Sequence, residues 1–232
     1  MEPPSSAFYD LYYLLARGYS RSHALELIRL KHGLGREAAI LLSRCIHPPE
    51  INNEIREKKQ EAQAIKNSCL VIDGFNQLTT IYAALTSKPL YLCSDTMLRD
   101  ALLAGPKLVV KNIEPLATLL GSALARLAPR SAIVVLDSQP SHSGETAAYL
   151  RKKLGIEAIV SPHADKEVII LSQREDCVVA TSDIAITLKV QRVFDLAYYV
   201  ATTLLRRSAR INNIPHLLRE EHHWWCQSQA GP

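Results

Sequence analysis

The sequence of 232 residues lacks several features that would point directly to a membrane, secretory or nucleotide-binding role. It contains no run of about 18 uninterrupted apolar residues, so no membrane span is expected. No basic start followed by an apolar core stands at its N-terminus, so no signal peptide is expected. A Walker-type phosphate loop and a GxGxxG after an apolar run are also missing, which argues against the use of ATP or dinucleotides.

Cysteine is scarce and irregularly spaced, with five residues and no CxxC pair. An odd, scattered set predicts reduced thiols in an intracellular protein rather than a disulfide framework. We therefore expect a cytoplasmic location. The cysteines stand at Cys45, Cys69, Cys93, Cys177 and Cys226.

Charge of either sign is not concentrated in blocks. The formal net charge is +4, which is compatible with a polyanionic partner but far from the dense lysine runs of a nucleic-acid-coating tail. The hydrophobic fraction of 47% is too high for a disordered chain. A folded protein of one or two domains is therefore expected.

The first fifty residues predict short helices. Leu11, Leu14 and Leu15 follow helical spacing, and Ser20 or Ser22 can cap a second helix. A third apolar segment is halted by two consecutive prolines. Helices this short bury little by themselves, so we expect them to pack on each other or on the following domain.

A polar run, Glu50–Lys66, follows these helices. It is typical of a solvated helix that links two modules, and its acidic residues weaken the alternative of a helix that contacts nucleic acid. The expected organisation is a helical N-terminal region with this linker over residues 1–66, an α/β domain over 67–210 and a tail over 211–232.

The second part of the chain alternates short apolar runs with helical stretches. Runs of four to five residues separated by helices indicate βαβ units and a parallel sheet buried on both faces. The predicted fold is therefore α/β, with a mainly parallel sheet. The strand-like runs are 69–72, 89–93, 132–136, 156–160, 177–180 and 192–194.

Four aspartates follow these apolar runs at or near their ends. Asp73, Asp137 and Asp183 come directly after, or within about two residues of, a predicted strand, and Asp165 opens the next helix after another. Residues at the carboxyl ends of parallel strands line the crevice where ligands bind. Carboxylates gathered there repel each other unless a cation lies among them, and Mg²⁺ prefers oxygen ligands.

This pattern favours hydrolysis of a phosphodiester by metal-activated water. The alternative for each aspartate is an N-cap of the following helix. Asp73 is the strongest candidate because Gly74 permits close backbone approach and Asn76 is a plausible supporting contact. Thr181 and Ser182 add hydroxyls beside Asp183.

These residues carry a resemblance to a known family. The strings VIDGFN, VLD, HADKE and ATSD, which contain Asp73, Asp137, Asp165 and Asp183 in that order, resemble the acidic motifs of PIN-like nucleases, with the NYN branch as the nearest. With RGY near the start and LRD in the middle, the chain also resembles an archaeal family, DUF434, with a PIN-like C-terminal part, DUF5616.

The resemblance implies a three-layer α/β/α domain that binds Mg²⁺ or Mn²⁺ and cuts RNA. By motif, the four aspartates would hold the metal and catalyse, and Asn76 would assist. The mid-chain acid is open: Asp137 is our choice, and Asp95 and Asp100 compete for the role. The alternative for that pair is a capped helix start with a salt bridge to Arg99.

Contacts to an RNA substrate are harder to assign. Arg99, Lys107 and Lys111 lie near the expected site in sequence, and Ser141 and Ser143 belong to a hydroxyl-rich loop after Asp137 that could meet phosphate at a helix N-terminus. A simple turn and helix cap is the slightly favoured alternative for this loop.

A metal-dependent endoribonuclease is therefore the leading hypothesis. The rival is a non-catalytic nucleic-acid-binding or regulatory module that keeps the PIN-like fold. A homodimer is a mild expectation from the apolar segment Ala197–Leu205 and from Trp224 and Trp225.

Overall fold

The computed structural model describes residues 2–100, 105–206 and 211–220 of the chain. Four helices form the N-terminal region, followed by an α/β domain. No helix in these described ranges is long and apolar enough to cross a membrane. The N-terminal helices are α1 (Ser5–Ala16), α2 (Arg21–His32), α3 (Arg36–Cys45) and α4 (Pro49–Lys58).

The N-terminal helices begin and end where their local chemistry predicts. The Ser20 side chain accepts a hydrogen bond from the backbone N–H of His23 and caps α2, which ends at Gly33 with a φ of +59°. The apolar faces of α1, α2 and α3 form one cluster that also contains Tyr91 and Ile214 of the following domain. The prediction that these short helices pack on each other and on the next domain is confirmed.

The polar run after α3 departs from a single solvated helix. Helix α4 ends at Lys58, and the Gln60 N–H then donates to the Val193 carbonyl at 2.7 Å. A 3₁₀ helix, Ala62–Ile65, follows. Ile55 and Ile65 are fully buried, so apolar burial and pairing with the edge of the sheet break the predicted helix.

Within the described residues, eight strands form two sheets. The main sheet has five parallel strands in the order β5-β4-β1-β6-β7, and a small sheet has the order β3-β2-β8. The strands are β1 (Cys69–Asp73), β2 (Leu90–Leu92), β3 (Leu98–Asp100), β4 (Ser131–Asp137), β5 (Glu157–Ser161), β6 (Cys177–Ala180), β7 (Val193–Phe194) and β8 (Ile211–Asn213).

Helices cover both faces of the main sheet. Within β1, Leu70 and Ile72 point to one cluster, and Cys69 and Val71 to another, because successive side chains of a strand alternate between faces. The domain is therefore a three-layer α/β/α structure, as predicted. Its helices are α5 (Gly74–Leu85), α6 (Lys107–Lys111), α7 (Ile113–Leu127), α8 (Ser143–Leu154), α9 (Ala164–Ser172), α10 (Ile184–Thr187) and α11 (Leu196–Tyr199).

The chain after α11 continues as a π-helix, Val200–Leu204. Ala197, Val200 and Ala201 of this apolar segment are buried in the larger core cluster, so the side chains that motivated a dimer pack within the protein itself. Trp224 and Trp225 lie outside the described residues. The homodimer stays a prediction.

The small sheet explains why one predicted strand does not join the parallel sheet. The segment Leu90–Leu92 pairs antiparallel with Leu98–Asp100 in a hairpin, and parallel with β8. The intervening turn buries Cys93 and Asp95. The alternative of a helix start at Asp95 is therefore wrong, because this segment is the turn and second strand of a hairpin.

Four of the cysteines lie in two pairs. Cys45 is next to Cys93, and Cys69 is next to Cys177. Cys69 and Cys177 are register partners on the neighbouring strands β1 and β6, and this pairing arises from the strand order. The prediction of reduced thiols stays a prediction for these four residues, and Cys226 lies outside the described residues.

Candidate active site at the carboxyl edge of the sheet

The carboxyl ends of β1 and β6 form a topological switch point. These strands are neighbours, but the next strand after β1 in the main sheet, β4, lies on one side, and β7, which follows β6, lies on the other. Chain connections therefore diverge there and leave a crevice, which is where open α/β sheets bind ligands. Asp73 ends β1, and Thr181 to Asp183 follow β6 directly.

Hydrogen bonds tie the two strand ends together. The buried Thr181 hydroxyl donates to Asp73 Oδ2 at 2.8 Å. Asn76 Oδ1 accepts from the backbone N–H of Ser182 at 2.9 Å and lies 3.1 Å from its hydroxyl. Asn76, Thr181 and Ser182 thus hold the crevice in one geometry, and the predicted supporting role of these side chains has a structural counterpart.

The environment of Asp73 disfavours its charged form. Burial raises the pKa of Asp73 to about 7, and the nearby carboxylates of Asp183 and Asp165 add to this effect. The hydrogen bond from Thr181 opposes it. A carboxyl group that titrates near neutrality beside two other acids is characteristic of functional sites.

Asp165 interacts with both Asp183 and Asp137, and so links Asp137 to this group of carboxylates. It lies in the first turn of α9, and its pKa is raised by partial burial and by the charges of Asp183 and Asp137. Lys189 partly offsets the repulsion. All four predicted aspartates therefore interact electrostatically along one edge, which we call the aspartate rim (Asp73, Asp137, Asp165 and Asp183).

Helix capping and turn formation account for part of this pattern. Asp183 Oδ1 accepts from the backbone N–H groups of Ala185 and Ile186 at the start of α10. Asp137 Oδ1 accepts from the Gln139 N–H at 2.8 Å in a tight turn. Asp73 also precedes a helix, and the backbone N–H of Asn76 in the first turn of α5 lowers its pKa, although the side chain does not form a full capping hydrogen bond. Capping thus accounts for the position of Asp183 and only in part for that of Asp73.

The donor set of the rim suits a hard cation, since it offers only carboxylate, amide and hydroxyl oxygens. Among residues 2–100, 105–206 and 211–220, no three His, Cys, Asp or Glu side chains are grouped so that they could hold one ion together. A fully protein-ligated ion therefore does not fit. Mg²⁺ keeps several waters and binds directly to one or two carboxylates, so a hydrated ion fits these residues.

The hairpin acids are part of the protein interior. Asp95 is fully buried and forms two hydrogen bonds with Arg99, from Nη1 at 2.9 Å and Nη2 at 2.6 Å. Arg99 also donates to the Ser182 carbonyl. Asp100 accepts a hydrogen bond from the Thr80 hydroxyl at 3.0 Å and is equally buried. The salt bridge to Arg99 thus forms as the alternative predicted, and neither acid joins the rim.

The predicted RNA-contacting residues have different locations. Arg99 is only 4% exposed, and its guanidinium is committed to Asp95 and Ser182, which makes it a positioning group behind the rim rather than an accessible cation. Lys107 and Lys111 are exposed on α6, which packs against α5 and α7.

The serine loop adopts the turn that its sequence also allowed. The Ser143 hydroxyl donates to the Pro140 carbonyl at 2.7 Å and is buried. Ser141 is exposed. His142, with a φ of +68°, precedes α8, so the loop ends in a constrained turn.

Three residues of the helical region lie beside the site and were not anticipated. Arg21, Arg44 and His47 line a cavity whose other wall includes Asn76 and Asp183. They lack a motif of their own and lie far from the aspartates in sequence. Only the packing of the N-terminal helices on the domain brings them there.

Comparisons with known proteins agree with this two-part architecture. The model for "Domain of unknown function (DUF5616)" matches residues 62–199, which cover more than half of the chain. The chain belongs to the DUF5616 family. In this DUF5616 protein, the model for "Protein of unknown function (DUF434)" matches residues 5–58, the helical region.

The chain is similar to an uncharacterized protein of Methanocaldococcus jannaschii, with 28% identity over 179 residues, which is 75% of this chain and 84% of that protein. No solved structure matches the chain.

Proposed function

We propose that this DUF5616 protein is a metal-dependent endoribonuclease with a PIN-like, NYN-type domain. The observation that carries the proposal is the electrostatic coupling of the aspartate rim at the switch point of the sheet. There, burial, Asp183 and Asp165 raise the pKa of Asp73 to about 7. A cation bound at the rim would relieve the repulsion between these carboxylates, which is a physical reason to expect a metal ion there.

The chain's own residues would divide the work. Asp73, held by the Thr181 hydroxyl, and Asp183, fixed by its bonds to α10, present oriented carboxylates. Asp165 and Asp137 add negative charge from the neighbouring strand ends. Asn76 and Ser182 keep the two central strand ends at a constant separation.

A bound Mg²⁺ or Mn²⁺ would supply an activated water and neutralise charge on a phosphodiester. The aspartates would hold it through one or two direct oxygen contacts and through its waters. An RNA substrate and a cytoplasmic location stay predictions, as does the homodimer.

A second candidate function is a non-catalytic module that binds nucleic acid. The observation that favours it is the absence, within the described residues, of a three-ligand group. Asp183 and Asp137 also have structural duties as helix cap and turn acceptor. In such a module the rim would bind no ion, and RNA would be retained uncut.

Cleavage of labelled single-stranded RNA separates the two functions. The full chain should cut RNA with Mn²⁺ or Mg²⁺ and stop in EDTA. Asp73→Asn should lower the cleavage rate by about 100-fold or more, because a charge is lost at the reacting centre. Circular dichroism should show that the variant stays folded.

Asp176→Asn is the matched control. Asp176 is an exposed aspartate that precedes β6, at the opposite end of the sheet from the rim, and its φ of +58° suits asparagine. The Asp176→Asn protein should cleave RNA at the wild-type rate. Equal cleavage by both variants would point to a contaminant or another site, and the proposed mechanism would be lost.

A further inference from the structure

A cavity of about 430 Å³ opens where the helical region meets the aspartate rim. Its walls come from both parts of the chain. We call it the arginine cavity, because three arginines belong to its lining. The residues that matter here are Arg21, Arg44 and His47 of the helical region, and Arg99, Asn76 and Asp183 of the domain.

The helical wall of the cavity carries two arginines that form no ion pair among the described residues, and Asp183 lies on the opposite wall. Within the described part of the chain, neither Arg21 nor Arg44 forms an ion pair with a carboxylate. Arg21 Nη1 donates to the carbonyls of Ser43 and Ile46 at 2.8 and 3.0 Å, and Arg44 donates to a backbone carbonyl at 3.3 Å. Their partners are therefore neutral.

His47 fixes Arg21 without changing the charge balance. Arg21 Nη2 lies 2.9 Å from His47 Nδ1, which must accept this bond, so the ring proton sits on Nε2 and faces the Arg44 carbonyl at 3.1 Å. Burial lowers the pKa of His47 to about 4, despite the opposing charge of Asp95. The imidazole is thus neutral, and Arg21 is held in place by uncharged acceptors.

Arg99 supplies the third guanidinium, but Asp95 neutralises it. Burial lowers the pKa of Arg21, and the positive charge of Arg99 lowers it further. The two guanidinium groups are therefore close enough to repel each other. Two arginines without an ion-pair partner in the described part of the chain, lining a partly buried cavity, form a candidate site for an anion. Planar guanidinium groups match the geometry of phosphate oxygens.

The opposite wall of the cavity is shared with the switch-point crevice, so an anion in the cavity would lie next to that crevice. Asn76, Ser182 and Asp183 belong both to the cavity and to the switch-point crevice. A phosphate held by Arg21 and Arg44 would therefore lie one wall away from the carboxylates of the rim. A chain with phosphates at regular spacing can place one there and the next at the rim.

We propose that the arginine cavity binds a backbone phosphate of single-stranded RNA through Arg21 and Arg44, next to the phosphodiester at the aspartate rim. The helical region would then form half of the substrate site. This inference rests on the proposed function for the identity of the polymer, but phosphate binding by the cavity does not require cleavage.

Binding of a fluorescent single-stranded oligouridylate in EDTA tests the inference with the full chain, because no metal is present to support cleavage. Fluorescence anisotropy over a range of salt gives the affinity and its salt dependence. Arg44→Gln should weaken binding roughly tenfold, since a bond to a charged group is lost. It should also reduce the slope of log affinity against log salt by about 0.7, as expected for one lost phosphate contact.

Arg29→Gln is the matched control. Arg29 is an exposed arginine on α2 outside the cavity, and it should keep both the wild-type affinity and the wild-type slope. Arg21→Lys is the second variant, because it retains the charge if loss of Arg21 disturbs the fold. It should bind more weakly than wild type, since an ammonium cannot reproduce the fork of a guanidinium.

The results separate this inference from the proposed function. RNA binding that depends on Arg44, without any metal-dependent cleavage, would support phosphate binding in the arginine cavity and refute the proposed nuclease function. Cleavage that depends on Asp73, with unchanged RNA affinity and salt slope in a folded Arg44→Gln protein, would support the nuclease function. It would overturn the proposal that the arginine cavity binds phosphate. Equal weakening by Arg44→Gln and Arg29→Gln would also overturn it, because the effect would then reflect net charge alone.

Discussion

Two groups of aspartates in this molecule respond differently to removal from water. At the rim, burial and the like charges of Asp183 and Asp165 together raise the pKa of Asp73 to about 7. In the β2–β3 hairpin, burial would also raise the pKa of Asp95, but the charge and hydrogen bonds of Arg99 outweigh it and lower the pKa. The sign of the neighbouring charge, more than the depth of burial, separates a candidate functional acid from a structural one.

The largest difference is expected when each acid is neutralised. Asp95→Asn leaves the Arg99 guanidinium buried without its counter-charge, so the free energy of unfolding should fall by about 3–5 kcal/mol. Asp73→Asn removes repulsion and should cost nothing in stability. Urea unfolding in EDTA measures both. A loss in Asp95→Asn no greater than in Asp73→Asn would erase the distinction between the two groups.

Acid should lower the stability of the protein through His47, which lies near Asp95 of the hairpin. The pKa of His47 is about 4 in the folded protein against an ordinary value of 6.5, so the unfolded chain binds the proton more readily. Stability is complete above pH 6.5 and falls as the pH drops towards 4, by about 3 kcal/mol in total. Urea midpoints over this range should show the decline, and His47→Gln should flatten it. An equally steep decline in the variant would assign the effect to other groups.

Gly74→Ala should disturb the rim without changing any charge. A Cβ at Gly74 would lie 2.5 Å from a Leu136 methyl carbon and 2.8 Å from the Val135 carbonyl oxygen. Overpacking of this kind costs about 2 kcal/mol, measurable by thermal or urea unfolding. Gly144→Ala is the control, since nothing lies within 4 Å of a Cβ there. If both substitutions cost the same, close packing behind Asp73 is not what limits position 74.

The smallest effect is the pH response of Asp73 itself. Its pKa is raised from 3.8 to about 7, so the folded protein binds the proton more tightly than the unfolded chain. Without metal, stability should therefore fall as the pH rises from about 4 to about 7, the opposite direction to His47. We expect about 1 kcal/mol, because Asp73 is half-buried and partly screened by water.

The difference between wild type and Asp73→Asn isolates this contribution, since every other group titrates in both proteins. Urea unfolding in EDTA at a series of pH values provides it. A difference that stays constant between pH 4 and 7 would mean that the pKa of Asp73 is not raised.

The sequence was sufficient for the main sheet because its strands are buried on both faces. Runs such as Cys69–Ile72 and Ala132–Leu136 are continuously apolar, which is typical of a parallel sheet covered by helices. Apolar runs do not reveal which strands pair, however. Leu90–Leu92 therefore joins a separate sheet through its partner Leu98–Asp100, a segment for which a helix start was one of the alternatives.

The candidate site was predictable to the same extent. Asp73 and Asp183 were found because strand ends are visible in the sequence, and the strand order places both at one edge. The capping role of Asp183 was foreseen only as an alternative. Arg21 and Arg44 could not be found, because their place beside the rim depends on how separate helices dock, which no local pattern encodes.

The segment that leaves α4 has a consequence for solubility. By pairing with Val193, Lys59 and Gln60 occupy the outer side of β7 and shield backbone groups that would otherwise be free to recruit another polypeptide. A fragment that starts after Gln60 would lose this cover. Such a truncated protein should tend to self-associate through the exposed edge of its sheet.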